Sequence, residues 1–178
     1  MDSINAQRSE DTQKPLEGHL AVEKIRELAE KAKTCFFCTH IHQGGSITTR
    51  PMSVQKVDEQ GNFWFLSARD SYKNEEINND SSVQLFFQGS AHSDFLSVYG
   101  QASITDEQAK IDELWEPLLK TWFTEGKNDS RITVIKVKPV EGYYWDNEHG
   151  NAVAFAKMVT VAIMDKTLDD SVEGKLSV

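Results

Sequence analysis

The chain has 178 residues, 28 acidic and 19 basic, with a net charge of −9 when histidines are neutral. That length suits one domain with a real core, and nine Phe, four Trp and four Tyr are more rings than a disordered chain carries. The acidic balance excludes a protein whose main surface grips nucleic acid or anionic lipid, but leaves room for one small basic pocket. No run of about 18 apolar residues exists to span a bilayer. The N-terminal MDSINAQRSEDTQKPLEGH has no apolar signal core, and two cysteines do not make a disulfide scaffold, so the expected location is the cytoplasm.

Residues 1–17 are polar and read as a flexible tail, 18–165 as one folded domain, and 166–178 as a polar C-terminal tail. From Gly18 onward, Ala21, Ile25, Leu28, Ala29 and Ala32 fall on one face of a helix whose other face is charged. Extended runs follow at 34–41, 47–57 and 63–67, separated by the turn signals Gln43-Gly44-Gly45-Ser46 and Asp58-Glu59-Gln60-Gly61-Asn62. Residues 71–80 read as a short polar helix with Ser71 at its N-cap. Strands are expected at 83–88 and 94–104, with Gly100 at a bulge. Ile111, Leu114, Trp115, Leu118, Leu119, Trp122 and Phe123 then mark a helix capped by Thr105 or Asp106 and divided by Pro117. The last expected elements are a strand over 131–146 and a helix over 151–164. Short turns favour antiparallel pairing, so the fold class is mainly β with flanking helices (α+β), as a six-stranded antiparallel barrel.

Most chemical motifs fail on geometry. Cys35 and Cys38 form a C-x-x-C, but three residues along a strand is about 10 Å, beyond disulfide reach. They read as small buried hydrophobes. Cys38, His40 and His42 share one strand face, yet no third or fourth ligand accompanies them, so they read as a partly exposed strand end and no metal site is assigned. Glycine-rich nucleotide loops and a Gly-x-Ser-x-Gly elbow are absent from the sequence, and no catalytic residue is assigned. The most informative stretch is 48–73, which sets Arg50, Lys56, Arg69 and Lys73 against Asp58, Glu59 and Asp70. With Ser71 and a helix start nearby, these cations either hold a phosphate or form a solvated surface; spacing leaves both open.

Arg50-Pro51-Met52, Phe63-Trp64-Phe65-Leu66-Ser67, Ser71-Tyr72-Lys73 with Glu76-Ile77, Leu114-Trp115-Glu116-Pro117, Trp122-Phe123 and Tyr144-Trp145-Asp146 occur in an order that resembles the pyridoxamine 5′-phosphate oxidase-like flavoproteins, general stress protein 26 branch. The resemblance covers residues 20–165. It implies a split β-barrel homodimer holding FMN, or alternatively FAD, between subunits. Arg50, Ser71 and Lys73 would take the phosphate, Pro51 and Met52 would lie along the flavin ring, and Phe65, Leu66 and Ser67 would line it. Trp145 would approach it from the partner chain. Trp115 and Trp122 read first as core or dimer-interface residues. The resemblance implies flavin-dependent oxidoreduction of a small molecule; a non-catalytic flavin carrier or sensor, or a cofactor-free interaction protein, are the alternatives. Two departures argue against pyridoxamine phosphate oxidation itself. Tyr72 stands where the oxidase pattern has Arg, and Asp146-Asn147-Glu148-His149-Gly150 stands where it has an Arg-x-His substrate motif.

Overall fold

A computed structural model describes residues 12–42, 46–91, 93–147 and 171–178. The elements in chain order are β1 (Leu16–Glu17), α1 (His19–Ala32), β2 (Thr34–Thr39), β3 (Thr48–Ser53), β4 (Lys56–Val57), β5 (Phe63–Ala68), α2 (Tyr72–Asn79), β6 (Ser82–Gln88), β7 (Phe95–Thr105), α3 (Gln108–Leu114), β8 (Ile132–Asn147) and β9 (Ser171–Ser177). Two 3₁₀ turns, Pro117–Thr121 and Gly126–Asn128, lie between α3 and β8.

The architecture is mainly β with a few helices, as expected, but the sheet has more than the six expected strands and is not purely antiparallel. Among the described residues it has nine strands in the order β1-β9-β8-β7-β6-β2-β3, with β5 pairing both β8 and β4, and it is mixed because β1 runs parallel to β9. Three strands account for the difference. The expected strand 47–57 is interrupted after Ser53. Its first part pairs with β2 and its last two residues with β5. Across the interruption Val54 N–H donates to Lys33 O at 2.9 Å and Gln55 N–H to Trp64 O at 2.9 Å. The other two come from the segments read as tails. Ser171–Ser177 lies antiparallel against β8 and buries Val172 and Leu176, and Leu16–Glu17 pairs with its end. Alternation of only two apolar residues among charged and small ones left β9 without a readable period. The helix expected over 151–164 lies outside the described residues.

Ala21, Val22, Ile25, Leu28 and Ala29 of α1 are buried, so the face read from spacing is the packed one. Full burial of Ile25 and Leu28 contributes about 1.5–3 kcal/mol each. Lys33 ends the helix in a left-handed conformation, its N–H returning to Ala29 O at 2.8 Å. Inside the sheet, Phe37 meets Phe65 edge to face at 5.3 Å, and Phe63 stacks on Phe87 at 5.4 Å.

Strand alternation on β5 separates two environments. Phe63 and Phe65 face this main core, whereas Trp64, Leu66 and Ala68 face a second cluster built on Ile111, Leu114, Phe123, Ile132 and Val134. The α3 helix ends at Leu114, and Pro117 opens the 3₁₀ turn, so the proline divides the region as its missing N–H requires. Neither expected residue is the N-cap of α3. Glu107 occupies that position, while Thr105 accepts its N–H at 3.2 Å. At Gly100 the β7–β8 register shifts, and a Cβ there would lie 2.6 Å from Lys138 O. The close approach therefore requires glycine. Both cysteines are buried and free. Among the described residues no helix is long and apolar enough to cross a membrane.

Candidate functional site

Strand β3 lies at one end of the sheet path and starts the site. Pro51 sits on it because an edge strand tolerates a missing N–H. Alternation turns Arg50 and Met52 to one side of β3 and the exposed Pro51 to the other. After β5, Ala68 O accepts Ser71 N–H at 3.0 Å, which closes a turn and aims the start of α2 back at β3.

Ser71 is the N-cap residue of α2, as expected, with extended backbone, but its side chain makes no capping bond. The hydroxyl is engaged elsewhere. It lies 3.1 Å from Ser67 Oγ, donates to Asn74 Oδ1 at 3.2 Å and accepts from Lys73 Nζ at 3.2 Å. Asn74 donates to Thr133 Oγ1 at 2.9 Å, and Thr133 Oγ1 donates to Ser67 O at 3.1 Å. Ser67, Asn74 and Thr133 are all buried. This satisfied polar chain locks the start of α2 to the ends of β5 and β8, so Lys73 is presented from a rigid base.

Thr48, Arg50, Asp70, Ser71, Tyr72, Lys73 and Glu76 surround a cavity of about 380 Å³. Arg50 Nη2 donates to Glu76 Oε2 at 2.6 Å, and Thr39 Oγ1 donates to the same oxygen at 2.6 Å. Burial raises the Glu76 carboxyl, but the hydrogen bonds from Thr39 and Arg50 outweigh it and hold the group below the ordinary range. The other terminal nitrogen, Arg50 Nη1, is buried with no hydrogen-bond partner among the described residues. Burial, with help from the Arg50 charge, pushes the Lys73 ammonium down to about 8, against the pull of Glu76. Arg50 is paired with Glu76, whereas Lys73 makes no ion pair among the described residues. An anion placed between them would relieve both the unpaired guanidinium nitrogen and the strained ammonium.

A second cavity, about 400 Å³, adjoins the first and shares Lys73 with it. Its walls include Pro51, Met52, Leu66, Ser67, Trp122 and Phe123. The first cavity brings Arg50 and Lys73 together and the second is walled mainly by apolar side chains, a division that suits a molecule with an anionic group and a flat ring.

Of the residues singled out from sequence, Arg50, Ser71 and Lys73 meet in the first cavity, and Pro51, Met52, Leu66 and Ser67 line the second. Phe65 does not join them. It is fully buried against Phe37, on the β5 face opposite Leu66. Trp145 lies apart from both cavities, beside Phe36, Phe86 and Pro51 on another cavity of about 710 Å³. Lys56 and Arg69 are taken up in ion pairs, with Glu113 at 2.7 Å and Asp106 at 2.9 Å. His40 is half-buried just past β2, with Nδ1 3.3 Å from Thr48 Oγ1, and His42 is exposed. Asn74 and Thr133 carried no sequence signal, because a buried polar link between a helix and a strand has no period. Glu76 lies one turn after Lys73, a spacing that could have marked it as the counter-charge. Trp122, read as core or interface, is exposed at the mouth of the second cavity, while Trp115 packs beside Phe123.

The family model described as pyridoxamine 5′-phosphate oxidase like matches residues 21–169. Protein bli-3 of Neurospora crassa is 27% identical over 146 residues, covering 75% of this chain and 68% of its own. A Jannaschia sp. CCS1 protein described as a general stress protein 26 superposes with a TM-score of 0.73 at 18% identity, covering 90% of this chain and 100% of that one. The general stress FMN/FAD binding protein of Xanthomonas citri superposes with a TM-score of 0.57 at 21% identity, covering 67% and 83%.

Proposed function

The chain belongs to the pyridoxamine 5′-phosphate oxidase like family, and from that premise we propose that it binds FMN and uses it to oxidise or reduce a small molecule. The observation that carries the reading is the pair of adjoining cavities that share Lys73, one holding an unpaired buried Arg50 nitrogen and the other walled by Pro51, Met52 and Leu66. Arg50, Ser71 and Lys73 hold the phosphate. Pro51, Met52, Leu66 and Ser67 hold the ring. When bound, the flavin supplies electron or hydride transfer; the protein supplies position and electrostatics. A flavin-binding protein of Xanthomonas citri shares the fold and supports the same reading.

The finer architecture in this reading is the split barrel. Its six strands are β2, the interrupted β3–β4, β5, β6, β7 and β8, and the ladder passes from β2 to β5 across residues 54–55. The functional unit is a homodimer. Phe36, Phe86 and Trp145 are 59%, 43% and 43% exposed, yet gather beside Pro51 on one outer face. A contiguous aromatic face of this kind is suited to cover by a second copy, which would bring its Trp145 toward the flavin. The branch is that of general stress protein 26, and the site of action is the cytoplasm.

The test is the visible spectrum of the purified protein, with mass identification of any flavin released on denaturation. Bound FMN is expected. In the Arg50→Ala/Lys73→Ala variant FMN binding is expected to be lost while the fold remains. A colourless protein that takes up no FMN, or undiminished affinity in that variant, removes the reading.

A further inference from the structure

Ser67, Ser71, Asn74 and Thr133 form the polar base of the cationic cavity, and their proton order follows from two groups of fixed role. The Ser67 carbonyl only accepts, so Thr133 spends its one hydroxyl proton there, at 3.1 Å. Toward Asn74 the Thr133 oxygen can then only accept. This turns the amide so that Nδ2 faces Thr133 at 2.9 Å and Oδ1 faces the two serines. At the far end the Lys73 ammonium only donates, and it takes a lone pair of Ser71 Oγ at 3.2 Å.

Asn74 Oδ1 therefore has two hydroxyl donors, Ser67 at 2.8 Å and Ser71 at 3.2 Å. They are not equivalent. Ser67 is 3% exposed, makes the shorter bond and lies outside the lining of the cationic cavity. Ser71 is half-buried and is part of that lining. A buried amide oxygen that loses its last donor costs the full desolvation penalty. Asn74 Oδ1 can lose Ser71 without that penalty, because Ser67 stays.

We propose that Ser71 is a hydroxyl switch: on binding of a phosphate ester its O–H turns from Asn74 Oδ1 to a phosphate oxygen, and Ser67 permits the turn by keeping Oδ1 satisfied. No covalent bond changes; a neutral hydrogen bond is exchanged for a charge-assisted one. Ser67, Asn74 and Thr133 are positioning residues for the phosphate, because they act on it through Ser71. That the ester is FMN rests on the reading under Proposed function; the switch itself requires only an anion with acceptor oxygens in the cavity.

The test compares FMN with riboflavin, which lacks the phosphate, by fluorescence titration of the full chain. Ser71→Ala is expected to lower the ratio of FMN to riboflavin affinity about tenfold, the effect of one charge-assisted hydrogen bond. Ser67→Ala is expected to lower the same ratio by about three- to tenfold, although Ser67 does not line the cationic cavity. Without it, Ser71 can leave Asn74 only by orphaning a buried oxygen. In Ser67→Ala/Ser71→Ala that oxygen has neither hydroxyl, with or without ligand, so the ratio should equal that of Ser71→Ala alone. Ser67→Cys keeps a weak donor and should fall between wild type and Ser67→Ala; it carries the test where Ser67→Ala does not fold. A merely structural role for Ser67 would lower both affinities together and leave the ratio unmoved. An unmoved ratio in either single alanine variant, or losses that add in the double variant, overturns the proposal. Where the wild type takes up neither flavin, the flavin reading falls and calorimetry with inorganic phosphate decides the switch. Affinity reduced in both single variants, and no further in the double variant, keeps it; no binding or unchanged affinity overturns it.

Discussion

If Lys73 holds the flavin phosphate as proposed, FMN affinity is expected to depend on pH. The ammonium must be charged to meet a phosphate, but burial and the nearby Arg50 charge lower it to about 8 in the flavin-free site. About nine-tenths of the sites are therefore protonated near pH 7, and about one-tenth near pH 9. A phosphate monoester with a second pKa of about 6 is dianionic throughout that range and adds no change of its own. A bound phosphate also holds the ammonium charged, so FMN affinity is expected to fall about tenfold between about pH 7 and about pH 9. Titration followed by flavin fluorescence reads it directly. Lys73→Met should bind weakly and with no slope over the same interval. A flat wild-type profile, or an undiminished slope in Lys73→Met, refutes the assignment. The same group has a mirror effect on stability. Its folded pKa lies below the unfolded value of 10.5, so the unfolded chain binds more protons between the two values, and stability rises with pH through that window. The flavin-free Lys73→Met protein should be more stable than wild type near pH 7 by about 1–2 kcal/mol, allowing for solvent screening, and the gap should close toward about pH 10.

Three further outcomes are expected. Leu176→Ala should cost about 2–5 kcal/mol and lower Tm by about 5–15 °C in calorimetry, because Leu176 is 1% exposed within the main core; a change below about 1 kcal/mol would show that β9 is not part of the packed structure. Asp58→Ala should destabilise by about 1–3 kcal/mol in urea unfolding, since the carboxylate accepts the N–H of Gln60 and Asn62 and, at 2.9 Å, Trp64 Nε1. Burial raises that carboxyl, but the bonds from Asn62 and Trp64 lower it by more, so its contribution is complete above 3.8 and is lost as the pH falls below. Phe36→Glu with Phe86→Glu should leave a folded protein that sediments as a monomer where the wild type sediments as a dimer; a monomeric wild type would remove the dimer proposal.

The sequence was most legible where one residue spacing decided the structure. Ala21, Ile25, Leu28 and Ala29 mark α1, and alternating apolar residues mark β5 through β8. Arg50, Ser71 and Lys73 could be proposed as a set because cations near a helix start suggest an anion, and they do converge. Legibility failed where one residue type serves two environments. Phe65 and Leu66 are neighbours in a run of apolar residues, and only the strand's facing, fixed by Phe37 across the core, sends one inward and the other to the cavity. It failed again where partners are distant in sequence. Asn74 and Thr133 are 59 residues apart, and nothing local to either announces their bond.

The pairing of β1 with β9 sets an order of events during synthesis. Gln13 and Glu173, 160 residues apart, share a side-chain hydrogen bond of 2.8 Å, and Gly18 N–H donates to Ser177 O at 2.8 Å just ahead of α1. Contacts this remote in the chain are slow to form. The N-terminal anchor of α1 must therefore wait until Ser171–Ser177 has been made. A nascent chain that has emerged only through β8 lacks this clasp and holds α1 by its apolar face.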